Sequence, residues 1–263
     1  MEMIFKNYKY KDNILNFSII EKEINGITGK ETKNLVNIIK LNNSVKGKII
    51  VNNNELTKEE INKKRKEIIY IDSEINQTIY HQTIYDLLYS EIASKKIQTK
   101  NIDKKIIESL KIVGLTEDIL VRNFYSLSSS EKKLIQVARA LLSNPNILIF
   151  DEPFKFLDMR NEKKLIMLLN RIKDQYNKTI ILVSNNSNIL YKYTNHLIIF
   201  KNNKILIEGN TSDIYIKIPF LIKNRIEIPE IVEFTYLANK QKNANLEYHK
   251  DIRDIIKDIY KHV

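Results

Sequence analysis

Asp151 and Glu152 stand together at the end of the apolar run Ile147-Leu148-Ile149-Phe150, and Pro153 stops it. Such a run suits a strand buried on both faces. In an open parallel α/β sheet, ligands bind beyond the carboxyl ends of the strands. An acidic pair there is placed for a metal ion and an attacking water. Asp151 suits Mg2+, which prefers carboxylates combined with phosphate oxygens. Glu152 suits a carboxylate that orients or deprotonates the water. Taken alone, the pair also reads as a solvated acidic turn, because acidic strand ends are common.

The preceding residues supply the context. Leu127-Ser128-Ser129-Ser130-Glu131 opens a segment in which Leu134, Val137, Ala138, Leu141 and Leu142 recur at the spacing of one helical face. Asn144-Pro145-Asn146 is a turn signal, and Leu157-Asp158 follows the acidic pair. Parts in this order resemble the core of an ATP-binding cassette (ABC) ATPase. In that family a signature LSGGQ opens a helix that leads to the Walker B strand, an Asp-Glu-Pro and a Leu-Asp D-loop. The resemblance implies ATP and Mg2+ as cofactors, with Asp151 as the metal ligand and Glu152 as the water-orienting carboxylate. It also implies that Ser128 reaches the γ-phosphate held by a partner subunit. Ser129 and Ser130 replace two glycines and crowd that approach, and Glu131 replaces a glutamine and adds negative charge.

The family's phosphate-binding loop, GxxGxGK[ST], falls on Gly26-Ile27-Thr28-Gly29-Lys30-Glu31-Thr32-Lys33. Such a loop needs glycines so that backbone N–H groups can cradle phosphates, a lysine on the β/γ-phosphates and a hydroxyl on Mg2+. Gly26 and Gly29 match. Glu31 stands at the third glycine position, Thr32 at the lysine and Lys33 at the Ser/Thr. A shifted register brings Lys30 or Lys33 toward the phosphates without restoring the spacing. Glu31 would repel a triphosphate, and the loss of one charged contact to phosphate costs about 2–3 kcal/mol. Gly26, Thr28, Gly29, Thr32, Lys33 and Ser128 are therefore the candidate nucleotide contacts, with weakened ATP binding expected. Asp72 replaces the Q-loop glutamine, and Asn185 stands at the switch histidine. Asn donates a hydrogen bond but carries no proton at neutral pH. The resemblance further implies an aromatic residue near the start that stacks on adenine, a role open to Tyr8 or Tyr10, either of which also reads as an ordinary strand aromatic. His196 reads as a surface residue.

Composition bounds the rest. The 263 residues carry a net charge of +11, with 43% hydrophobic and 29% charged residues and no cysteine. Neither a disulfide framework nor a Cys metal site is possible. The four histidines, His81, His196, His249 and His262, are scattered. No run approaches the ~18 apolar residues of a membrane span, and the first residues lack the apolar core of a secretory signal. The expectation is a cytoplasmic protein, peripheral on the cytoplasmic face of the membrane. The positive charge suits an anionic surface, but Lys, Asn and Ile are abundant throughout, as an AT-rich coding sequence would give.

The fold expected is α/β, a P-loop NTPase cassette with a mostly parallel core sheet, an antiparallel β subdomain, a helical subdomain and a short C-terminal helical extension. Residues 1–210 are expected to form the nucleotide-binding domain, with the helical subdomain about 75–145. Residues 211–263 are expected to form the extension, which serves dimerisation. In it, the stretch from Ile228 through Pro229, Glu230 and Tyr236 to Lys240 resembles the C-terminal part of energy-coupling-factor (ECF) ATPases. This implies an ECF-type uptake transporter subunit that pairs with a second ABC ATPase, as homo- or heterodimer, and with a transmembrane coupling protein, its own site being impaired. No specific nucleic acid is expected on that reading. The alternative is a nucleotide-independent module that binds a polyanion or nucleic acid through its charge.

Overall fold

Residues 1–57 with 181–263 form one compact unit, and residues 58–180 form a second. The computed structural model describes residues 2–42, 46–72, 83–155, 157–242 and 244–261. His81, His262 and the 75–82 part of the expected helical subdomain lie outside the described residues.

The first unit opens on the hairpin of β1 (Glu2–Tyr10) and β2 (Asn13–Ile20), antiparallel as expected. Met3 and Phe5 alternate into the core, and Phe5 stacks on Phe17 directly across at 4.3 Å. Strict alternation would next bury Asn7. A bulge between Phe5 and Tyr8 intervenes, with Asn7 at φ 51°, and shifts the inward position to Tyr8. Tyr8 is thus only 2% exposed. Its ring is core, which corrects the expectation that it could stack on a base.

β3 (Ile24–Gly29) and α1 (Thr32–Ile39) follow, then the short hairpin of β4 (Lys48–Val51) and β5 (Asn54–Glu55). Asn25, fully buried, ties the entry to β3 by accepting from the Ile20 N–H and donating to the Ile20 carbonyl, both at 2.9 Å. Gly47 precedes β4 because a Cβ there would lie 2.6 Å from Tyr8 Cα.

The second unit starts with α2 (Lys58–Lys66) and β6 (Ile68–Ile71), and continues through α3 (Ile84–Ser94), α4 (Ile102–Val113), α5 (Ser129–Leu141), β7 (Ile147–Asp151) and α6 (Met159–Tyr176). β6 and β7 are parallel, and Thr179 at the head of β8 (Thr179–Val183) donates to the Asn146 carbonyl at 2.9 Å, giving the order β8-β7-β6. β7 is buried from Ile147 to Phe150, as its unbroken apolar run predicts. Helix ends follow local chemistry. Asn101 caps α4 at its start, and Gly114, at φ 78°, closes it. Asp158 caps α6 by accepting from the Asn161 N–H at 2.7 Å. The brace of this unit is Glu91, 5% exposed on α3, which takes Arg139 of α5 at 2.5 Å and Lys95 at 2.6 Å.

The chain then returns to the first unit with α7 (Ser187–Tyr193), β9 (His196–Lys201) and β10 (Lys204–Asn210). β3 pairs parallel with β9, β9 pairs antiparallel with β10, and the Ser184 N–H after β8 donates to the Ile27 carbonyl at 3.0 Å, giving β10-β9-β3-β8. His196 is 8% exposed, its Nε2 3.4 Å from Glu208, so the expected surface histidine is an interior one. α8 (Thr211–Tyr215), α9 (Ile218–Asn224), α10 (Glu230–Lys242) and α11 (Ile252–Lys261) complete the chain. Asn239 of α10 exchanges two hydrogen bonds with the Leu246 backbone, and Lys250 donates to the Thr194 carbonyl at 2.8 Å. No helix among the described residues is long and apolar enough to cross a membrane.

Candidate functional site

In the first unit, β3 and the first turn of α1 carry five of the expected nucleotide contacts. Gly26 lies inside β3, where a Cβ would stand 2.9 Å from Leu197 Cδ1. Thr28 is buried in the same strand. β3 stays paired with β9 as far as Gly29, opposite Phe200. Gly29 has φ +118° and approaches so closely that a Cβ would sit 2.0 Å from the Phe200 carbonyl oxygen. Lys30 donates its N–H to that same oxygen at 2.9 Å. Glu31 takes the left-handed conformation at φ 61°, and Thr32 already begins α1, with Lys33 next. The Glu31 carboxylate accepts from the Asn203 N–H at 3.1 Å, and the Asn34 amide donates to Asn203 Oδ1 at 3.0 Å. Asn185, at the switch position, is exposed just after β8, and Asn186 beside it caps α7.

In the second unit, β7 delivers Asp151 to its C-terminal end, and Glu152 follows at φ 41°. The Tyr70 hydroxyl of β6 donates to Asp151 Oδ2 at 2.5 Å. Burial and this bond to a carboxylate push the Tyr70 phenol far above its usual range, so it stays a donor at any physiological pH. Lys133 of α5 donates to the Pro153 and Lys155 carbonyls just beyond the acidic pair, and burial lowers its pKa. A cavity of about 20 Å3 is lined by Asp151, Asp72, Lys133 and Gln136, room for about one water. Asp151 could contribute one carboxylate to a Mg2+ ion, which commonly takes one or two together with phosphates. No cluster of three His, Cys, Asp or Glu suited to a metal occurs among the described residues.

Ser128 sits at the N-terminus of α5, engaged in a reciprocal cap. Its hydroxyl accepts from the Glu131 N–H at 3.3 Å, while the Glu131 carboxylate takes the Ser128 N–H and hydroxyl, each at 2.8 Å. Arg122 adds a 2.7 Å ion pair to the same carboxylate. The Ser128 backbone bond, then its hydroxyl and Arg122, hold the Glu131 carboxyl below the usual range. The helix macrodipole favours an anion at this place, and the chain supplies one from the fifth signature position, Glu131.

Sequence reasoning missed three of these partners. The Ser-x-x-Glu spacing of Ser128 and Glu131 is the pattern of a capping box and was readable. Tyr70 and Lys133 gave no signal, because their partners arise only when β6, β7 and α5 pack.

Comparison with known proteins agrees with the fold. The ABC transporter family profile matches residues 13–155, more than half of the chain. The energy-coupling factor transporter ATP-binding protein EcfA2 of Mycoplasma mobile is 30% identical over 154 residues, which span 59% of this chain and 49% of that protein. EcfA2 of Caldanaerobacter subterraneus is 24% identical over 92% of this chain and 85% of its own length. EcfA2 of Acetivibrio thermocellus is 26% identical over 94% and 88%. Among solved structures, cbiO1 from Clostridium perfringens, part of the ABC transporter complex cbiONQ, superposes with a TM-score of 0.71 at 19% identity over 89% of this chain and 98% of that one. A dimeric ATP-binding cassette bound to ADP and phosphate gives 0.62 at 23% identity over 80% and 99%. The chain belongs to the ABC transporter family, as an ATP-binding cassette that resembles the energy-coupling factor ATP-binding proteins.

Proposed function

We propose that this chain is a cassette subunit of an ECF-type uptake transporter, pairing with a second cassette and a transmembrane coupling protein on the cytoplasmic face of the membrane, with its own nucleotide site impaired. The observation that carries this reading is the ordered series Ser128, α5, β7, Asp151 and Glu152, held on one packed unit and matched by the family profile. Alignments over 92% and 94% of this chain, and over 85% and 88% of two EcfA2 relatives, support the ECF assignment. Residues 1–210 are the cassette in this proposal, and residues 211–263 bring two cassettes together.

The family uses ATP with Mg2+. Asp151 is the residue that would hold the metal, Glu152 the one that would orient water, and Asn185 the one at the switch position. Ser128 would face a partner's nucleotide. Three features support impairment: no lysine stands at the phosphate position, Asn185 cannot relay a proton, and the signature amide and hydroxyl are already bound to Glu131. Lost donors to a developing phosphoryl charge cost about 10²- to 10³-fold each in rate.

Co-purification tests the assignment. The tagged chain, expressed with its neighbouring genes, should leave detergent-solubilised membranes with a second cassette and a polytopic membrane protein in fixed proportion. Recovery as a free protein that binds polyanions in a salt-sensitive way would refute it and favour the interaction module.

A further inference from the structure

A phosphate cradle needs consecutive free backbone N–H groups, on a loop with four variable residues between its first glycine and the Gly-Lys pair. Neither glycine provides one here. From Gly26, the next three residues remain strand, paired with β9. From Gly29, only Lys30 and Glu31 intervene before α1 begins. The Lys30 N–H is spent on Phe200, and the Asn34 N–H on the Glu31 carbonyl at 2.9 Å. A carboxylate on the residue that opens the helix then repels phosphate from the amides that are left. The residues present do not fit a triphosphate.

The connection is tied to something else. Asn202 and Asn203 have φ 53° and 57° between β9 and β10, the left-handed pair of a type I′ hairpin turn. This turn presents Asn203 with its N–H on the Glu31 carboxylate and its Oδ1 on the Asn34 amide. Both bonds reach α1 from 169 or more residues away in sequence. We propose that Glu31, Asn34 and Asn203 form a clasp that fixes the N-terminus of α1 to the β9–β10 turn in place of a bound triphosphate, so that the first unit is fully formed with no nucleotide there. The clasp belongs to this unit alone and stands whether or not the chain assembles into a transporter.

Hydrogen exchange of the full chain, followed by mass spectrometry on peptides from residues 30–39, tests it. The wild-type segment should be protected without nucleotide, and Mg-ATP should leave that protection unchanged. Glu31→Gly with Asn34→Ala removes both side chains without straining the backbone, since φ 61° suits glycine. It should speed exchange in this segment about tenfold, with residues 179–183 unchanged. Glu31→Gln keeps an acceptor for the Asn203 N–H and should stay within about twofold of wild type. Added protection of the wild type by Mg-ATP would overturn the proposal, as would a double variant that exchanges like wild type. Should the double variant not fold, Glu31→Gly alone decides by the same comparison.

Discussion

Replacing Glu91 by Gln tests how the second unit holds its signature helix. The carboxylate is 5% exposed and links α3 to α5 through Arg139 at 2.5 Å and Lys95 at 2.6 Å. Burial alone would raise its pKa, but the Lys95 bond and the Arg139 guanidinium outweigh it and hold the carboxyl below its ordinary range. Removing one partner of a buried pair costs about 3–5 kcal/mol, because the other charge is stranded. Here the stranded cations keep 30% and 39% of their side-chain exposure, so water recovers part of that cost. We expect a loss of about 2–3 kcal/mol, or about 5–10 °C in Tm for a chain of this size. Glu91→Leu should cost at least as much. Glu91→Leu with Arg139→Leu should recover part of the loss, since an apolar pair replaces an ionic one. A chain of two compact units need not unfold in one step, so one global signal is not enough. Urea unfolding read by hydrogen exchange on α3 and α5 peptides is the assay. A Glu91→Gln variant within about 0.5 kcal/mol of wild type would refute the reasoning, because that is the range of neutral surface changes.

Three further outcomes follow from the same contacts. Ser128→Ala should remove the cap of α5 at a cost of about 1 kcal/mol, read as faster exchange confined to residues 129–133. The depressed Glu131 carboxyl contributes stability that is present above its unfolded pKa of about 4.3 and lost as pH falls through the lower folded value. A pH series should therefore show α5 loosening only below about pH 4, and Glu131→Gln should flatten that dependence. Gly29→Ala should cost more than about 3 kcal/mol, since φ +118° and a 2.0 Å approach to the Phe200 carbonyl both exclude a Cβ. Soluble expression and Tm check it, and a wild-type Tm would contradict the close approach.

The architecture was largely legible in the sequence because its periods are clean. The unbroken apolar runs of β7 and β8, the β1–β2 and β9–β10 hairpins of the first unit and the left-handed stop at Gly114 all follow from local patterning. The amphipathic helix α11, with Ile252, Ile255, Ile256 and Ile259 at helical spacing, is equally readable within the expected helical extension. What the sequence could not show depended on pairing. The β3–β9 register decides how many residues remain to wrap a phosphate, and it is fixed by the Gly29–Phe200 approach across 171 positions of chain. The bulge that turns Tyr8 inward has no signature beyond an Asn at positive φ. Tyr70 meets Asp151 only because two strands distant in sequence lie side by side.

Calorimetric titration of the isolated full chain with Mg-ATP tests most directly whether this cassette has lost its hold on a nucleotide. The account predicts no saturable heat below about millimolar concentrations, near −4 kcal/mol of binding free energy at most. A one-to-one isotherm with a low micromolar Kd would contradict it.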